Sequence, residues 1–128
     1  MFIGSSISTS PTIAKLAGAA ITKGAGKAVK FDASGDIVLC SVAGETAIGI
    51  LPLQTADEIA KGDSLTVQIR AIGQAVAGGT IAAGDLLTVD DAGKIVKATD
   101  GNYIIGRALG AGAADGFVQI DVLPGGKA

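Results

Sequence analysis

The chain repeats itself. Gly26-Lys27-Ala28-Val29-Lys30-Phe31-Asp32-Ala33-Ser34-Gly35-Asp36-Ile37-Val38 lies without a gap over Gly84-Asp85-Leu86-Leu87-Thr88-Val89-Asp90-Asp91-Ala92-Gly93-Lys94-Ile95-Val96, 58 positions later. The shared frame is Asp-x-x-Gly-x-Ile-Val, and most apolar positions agree in type. Upstream, Ile21-Thr22-Lys23-Gly24 answers Ile81-Ala82-Ala83-Gly84 after a small shift. Downstream, Ala47-Ile48-Gly49-Ile50-Leu51 answers Ile104-Ile105-Gly106-Arg107-Ala108, and Val67-Gln68-Ile69 answers Val118-Gln119-Ile120. The order is kept, which predicts one supersecondary unit used twice, over about 21–71 and 81–123.

Each unit reads as strands. Ala28–Phe31 and Leu86–Val89 are short apolar runs that end in Asp32-Ala33-Ser34-Gly35 and Asp90-Asp91-Ala92-Gly93. Asp accepts local backbone hydrogen bonds and Gly tolerates positive φ, so both are hairpin turns. Ile37–Cys40 and Ile95–Ala98 return. Gly49 and Gly106 fall inside third strands, where a glycine marks a sharp bend or a close backbone approach. Ser64–Ile72 alternates, with Leu65, Val67, Ile69 and Ala71 on one face, and Phe117–Leu123 alternates with Val118, Ile120 and Val122 inward. Thr55–Gly62 is the one helical hint, with Thr55 as cap and Gly62 as stop. Its counterpart, Gly110–Gly116, reads as a loop. The expected fold is all-β, a small curved β-barrel or sandwich built from two similar β units with an extended N-terminal arm.

At 128 residues the chain has the length of one domain. Its 20 glycines and 23 alanines, with aromatics at 3%, bury little apolar area per residue. Marginal stability as a monomer, with help from neighbouring subunits, follows. Residues 1–20 stand outside the repeat and read as a docking arm before a β domain at 21–128. The arm scatters Phe2, Ile3, Ile7 and Ile13 among Ser, Thr and Gly, and these four are the candidate contact residues. The first residues lack the basic stretch of a secretory signal, and no apolar run approaches the roughly 20 residues of a membrane span, so no membrane partner is expected. A cytoplasmic origin with a reduced Cys40 fits.

The composition excludes most chemistry. There is no His, hence no His-based acid–base pair, catalytic triad or His metal ligand. One Cys excludes an internal disulfide and a multi-Cys zinc site. Cys40 lies among Val38, Leu39 and Val42 and reads as a small buried apolar residue. The Asp32/Asp36 and Asp85/Asp90/Asp91 groups lack the ligand spacing of a calcium loop and suit the turns. The Gly106–Gly112 stretch lacks the Lys-Ser/Thr ending of a phosphate loop. A lipoyl or biotinyl carrier would place its lysine at Lys94, but the flanking context is missing. A net charge of −2 argues against nucleic acid as partner. No catalytic, cofactor-binding or metal residues are assigned, no cofactor is expected, and the chain reads as a non-enzyme.

Ala47–Leu51 behind a short Asp-turn hairpin resembles the head decoration proteins of tailed bacteriophages, the lambda type included. The second unit is more similar to the related phage capsid cement proteins, through Ile81-Ala82-Ala83-Gly84-Asp85-Leu86-Leu87, Asp91-Ala92-Gly93-Lys94-Ile95-Val96, Ile104–Leu109 and the Val118-Gln119-Ile120 strand. The resemblance covers about 21–123 and rests on structural motifs. It implies a structural virion protein, made in the host cytoplasm, that binds the outer surface of a phage capsid and stabilises capsomer contacts. Its implied partners are the major capsid protein and sister copies of itself, a trimer in the lambda-type family. The arm's four apolar residues would then meet a capsid subunit or a sister copy. The alternatives are another phage or bacterial structural β-module, such as a tail or fibre component, and a small-molecule-binding or carrier β-barrel.

Overall fold

The computed structural model describes residues 11–128. Its strands are β1 (Thr12–Leu16), β2 (Ile21–Thr22), β3 (Ala28–Phe31), β4 (Ile37–Leu39), β5 (Gly49–Ile50), β6 (Glu58–Ile59), β7 (Ser64–Gln68), β8 (Ala71–Val76), β9 (Leu86–Val89), β10 (Ile95–Lys97), β11 (Tyr103–Ala108) and β12 (Phe117–Lys127). The described residues contain no helix. One five-stranded sheet runs β1-β7-β5-β3-β4, a second runs β8-β12-β11-β9-β10, and β2 pairs with β6 alone.

The two large sheets carry the same connectivity, strand for strand. Val29 faces Gly49 in the first sheet as Leu87 faces Gly106 in the second. Ile50 faces Gln68 as Arg107 faces Asp121, and Thr12 faces Gln68 as Ile72 faces Asp121. The β2–β6 pair has a reduced counterpart in a single bridge, Ile81 to Gly112. The duplication read in the sequence is thus a duplication of the fold.

Each sheet curls until its ends almost meet. The residue after the first edge strand makes one parallel bridge to the opposite edge, Ala17 to Ile37 in one sheet and Ala77 to Ile95 in the other. The following glycine donates to the same partner, Gly18 N–H to the Ile37 carbonyl at 2.7 Å and Gly78 N–H to the Ile95 carbonyl at 2.8 Å. A Cβ on Gly18 would strike the Asp32 carboxylate, and one on Gly78 the Asp90 carboxylate. Small residues at this seam are therefore a steric requirement. The seam is one bridge wide, so neither sheet is a closed barrel.

Apolar side chains inside the curl form two clusters. Ala17, Ile21, Val29, Ile37, Leu51, Leu65 and Val67 fill the first unit. Leu87, Val89, Ile95, Ile105, Val118, Ile120 and Val122 fill the second, joined by Ala28, Cys40, Ala47 and Ile50 from the first. Full burial of each branched side chain contributes about 1.5–3 kcal/mol, which offsets the scarcity of aromatics.

The structure differs from the sequence reading at four places. Thr55–Gly62 is not a helix. Glu58–Ile59 pairs with Ile21–Thr22, because Ile59 buries against the first core, and Gly62 turns the chain at φ +92°. The run Ser64–Ile72 is two strands, broken at Ile69-Arg70, with Ala71 at φ +71° and exposed. Val67 corresponds to Ile120 rather than Val118, since Ile13–Val67 in the first sheet matches Gly73–Ile120 in the second. Finally, Thr12–Leu16, placed by sequence within the arm, is the first strand of the first unit and pairs with β7 along its whole length. The units as folded therefore begin at Thr12 and Ala71.

Candidate docking surface

The hairpin turns are built by single carboxylates. Asp32 Oδ1 accepts the N–H groups of Ser34 at 2.8 Å and Asp36 at 3.0 Å. Asp90 Oδ1 accepts those of Ala92 at 2.8 Å and Lys94 at 2.9 Å. Gly35 and Gly93 supply the left-handed residue at φ +83° and +78°. These oxygens organise backbone, as the sequence reading assigned. Among the described residues no group of three or more acidic or sulfur side chains could hold a metal ion.

Cys40 is buried, and that burial pushes its thiol up to about 12, with the Glu45 charge adding to the effect and Lys30 opposing it. At neutral pH it is a packed SH group. Glu45 closes the neighbouring loop. Its carboxylate accepts the Ser41 and Val42 N–H groups at 2.7 and 2.8 Å and pairs with the Lys30 ammonium at 2.8 Å. Lys94 and Asp115 form an exposed ion pair at 2.6 Å.

One candidate docking surface lies where the N-terminal segment joins the body. Ile69 N–H donates to the Pro11 carbonyl at 2.8 Å, anchoring the chain beside the crossover between the two units. There a groove of about 350 Å³ is lined by Pro11, Pro52, Leu53, Gln68, Ile72 and Gln74 among others. Leu53 and Ile72 are 48% and 59% exposed. Gln68 shapes its floor, donating from Nε2 to the carbonyls of Arg70 at 3.0 Å and Ile72 at 2.9 Å. Those bonds tie the Gln68 side chain across the turn between β7 and β8.

Of the four candidate contact residues, Ile13 lies on β1 opposite Val67, half-buried against the first core. It anchors the segment to the body. Phe2, Ile3 and Ile7 lie outside the described residues. Sequence reasoning missed Leu53 and Ile72. Leu53 follows Pro52 in a stretch with no counterpart in the repeat, and Ile72 ends the alternating run Ser64–Ile72.

A family model described as phage cement protein matches residues 54–123, more than half of the chain. The chain belongs to the phage cement protein family. It is a structural phage protein, and the match spans the crossover and the second unit as far as Leu123. The fold of this cement-family protein also matches the head fiber gp8.5 N base of bacteriophage phi29, with a TM-score of 0.62 over 88% of this chain and 92% of that one, at 18% identity. At that identity the likeness is one of fold. A search of curated proteins gave no significant match to this cement-family chain.

Proposed function

We propose that this protein binds the outer surface of a phage capsid, through the major capsid protein, and stabilises the contacts between capsomers. Membership of the cement family carries the reading. The groove at the root of the N-terminal segment, with Leu53 and Ile72 exposed along it, supports it, and so does the head-fibre-base fold. Pro11 lines the groove with Leu53 and Ile72, and in this reading Phe2, Ile3 and Ile7 extend the same contact onto the shell. Each large side chain buried against the shell contributes up to about 1.5–3 kcal/mol. Fixing the Ser/Thr/Gly backbone costs about 1–2 kcal/mol per residue, leaving a modest gain per copy that many copies multiply. The shell in turn stabilises each small, aromatic-poor copy by mass action. A net charge of −2 suits the exterior rather than the DNA-filled interior.

Co-sedimentation with expanded capsids of the cognate phage tests this. The full chain is expected to saturate shells. A chain lacking residues 1–10 and a Leu53→Asp/Ile72→Asp double variant are expected to bind much more weakly. Failure of the full chain to bind shells would overturn the decoration reading. Equal occupancy by all three proteins would move the contact away from segment and groove.

A further inference from the structure

We propose that copies of this protein associate end to face, repeating between chains the contact that its two units make within one chain. The inference concerns the protein free of any shell and does not rest on the docking reading above.

Within the chain, the hairpin end of the second unit sits on the outer side of the first sheet. The Gly93 carbonyl accepts the Ala28 N–H at 2.8 Å, and the Val89 carbonyl accepts the Gly44 N–H at 2.9 Å. Val89, Ile105 and Val122 of the second unit are buried in one cluster with Ala28, Cys40, Ala47 and Ile50 of the first. Because the units have the same fold, both halves of this contact exist twice.

The spare halves are more exposed, with the Lys15 ammonium over the Phe31 ring at 5.7 Å from its centre. The counterpart of Val89, 1% exposed, is Phe31, 43% exposed. Ile48 and Ile69, the counterparts of Ile105 and Val122, are only partly buried. Buried Gly93 corresponds to exposed Gly35, where a Cβ would meet nothing within 4 Å. On the receiving side, Ala28 at 0% corresponds to Leu86 at 44%. Buried Gly44, at φ +76°, corresponds to exposed Gly101, at φ +87°. The first unit thus presents an open end with Phe31 at its tip, and the second an open face that is apolar at Leu86 and Ile104 and carries exposed Arg107 where the first unit has Ile50.

The two spare halves also fit in size. Phe31 is larger than the Val89 it replaces. Around Leu86 the surface opens into a groove of about 490 Å³, lined by Ile104, Arg107, Leu123 and Pro124, which has room for the ring. One end and one face per copy make a heterologous contact, which propagates as a ring or a chain of copies. A second copy is the occupant because the internal contact shows what this end and this face hold when covered. The competing occupant of the Phe31 end is the chain's own residues 1–10, attached at Pro11 next to Ile69.

Sedimentation velocity over a concentration series tests the proposal, using the full chain and the exposed-site variants Phe31→Asp and Leu86→Asp, each checked for folding by circular dichroism. The wild-type chain is expected to associate, and each variant to associate at least about tenfold more weakly. The two variants mixed are expected to form a 1:1 complex, since one keeps an intact face and the other an intact end. A monomeric wild-type chain overturns the proposal, as do variants that associate like wild type or a mixture that gives no complex. A full chain that stays monomeric while a chain lacking residues 1–10 associates would assign the Phe31 end to the N-terminal segment instead.

Discussion

Gly49 packs so closely on the carbonyl oxygen of Gln68 that no Cβ fits between them, and Gly106 meets the Asp121 carbonyl in the same way. Both contacts are with backbone, which cannot swing aside as a side chain can. Gly49→Ala and Gly106→Ala are each expected to destabilise by about 1–3 kcal/mol in urea unfolding. Gly110→Ala, at a position with open space and no positive φ, serves as the control and is expected to be neutral within about 0.5 kcal/mol. Equal midpoints for all three variants would remove the case for a close crossing.

Glu45 makes stability depend on acid. Burial alone would raise its carboxyl, but the Lys30 ammonium and the Val42 and Ser41 N–H groups outweigh that and hold it below the usual carboxylate value. A carboxyl lowered by folding contributes stability that is fully present above its unfolded pKa of about 4.3 and is lost as pH falls through the folded value. Glu45→Gln is expected to cost about 1–2 kcal/mol at pH 7 and to shrink the wild-type loss seen on acidification. Asp115→Asn removes an exposed pair with Lys94 and is expected to leave the urea midpoint unchanged at pH 7. Wild type and Glu45→Gln losing stability in parallel from pH 7 to acid would contradict this assignment.

Two N-terminal truncations should behave differently. Removing residues 1–10 leaves β1 and its ladder to β7 in place, so the thermal midpoint is expected to hold. Removing residues 1–16 deletes β1, exposes the β7 edge and uncovers Leu65 and Val67, which are buried in the first core. That chain is expected to melt well below the shorter truncation or to aggregate through the freed edge. Identical melting curves for the two truncations would mean that β1 adds nothing to the first sheet.

What was legible in the sequence is what local chemistry fixes. Asp32 with Gly35 and Asp90 with Gly93 can each make only a tight turn, and the apolar alternation around them needs strands. The seam was written in Ala17-Gly18 and Ala77-Gly78, yet it is visible only once Asp32 and Asp90 are seen to fill the space a Cβ would take. The misread elements depend on partners far along the chain. Glu58-Ile59 has helix-compatible neighbours but is extended because Ile21-Thr22 lies beside it. Thr12–Leu16 carries no repeat motif and becomes a strand because β7 offers an edge. Leu53 and Ile72 look unremarkable in sequence and form a surface only where the crossover brings them together.

In each unit the first strand lies against the last, with Thr12 beside Gln68 and Ile72 beside Asp121. A unit's entrance and exit therefore share one doorway, and only Ile69 and Arg70 separate the end of β7 from the start of β8. A gene segment copied head to tail would arrive with its ends already adjacent and need no new linker threaded around the old sheet. Growth by whole units costs such a chain little topology, and the same doorway leaves each copy free to diverge on its outer face while its curl stays intact.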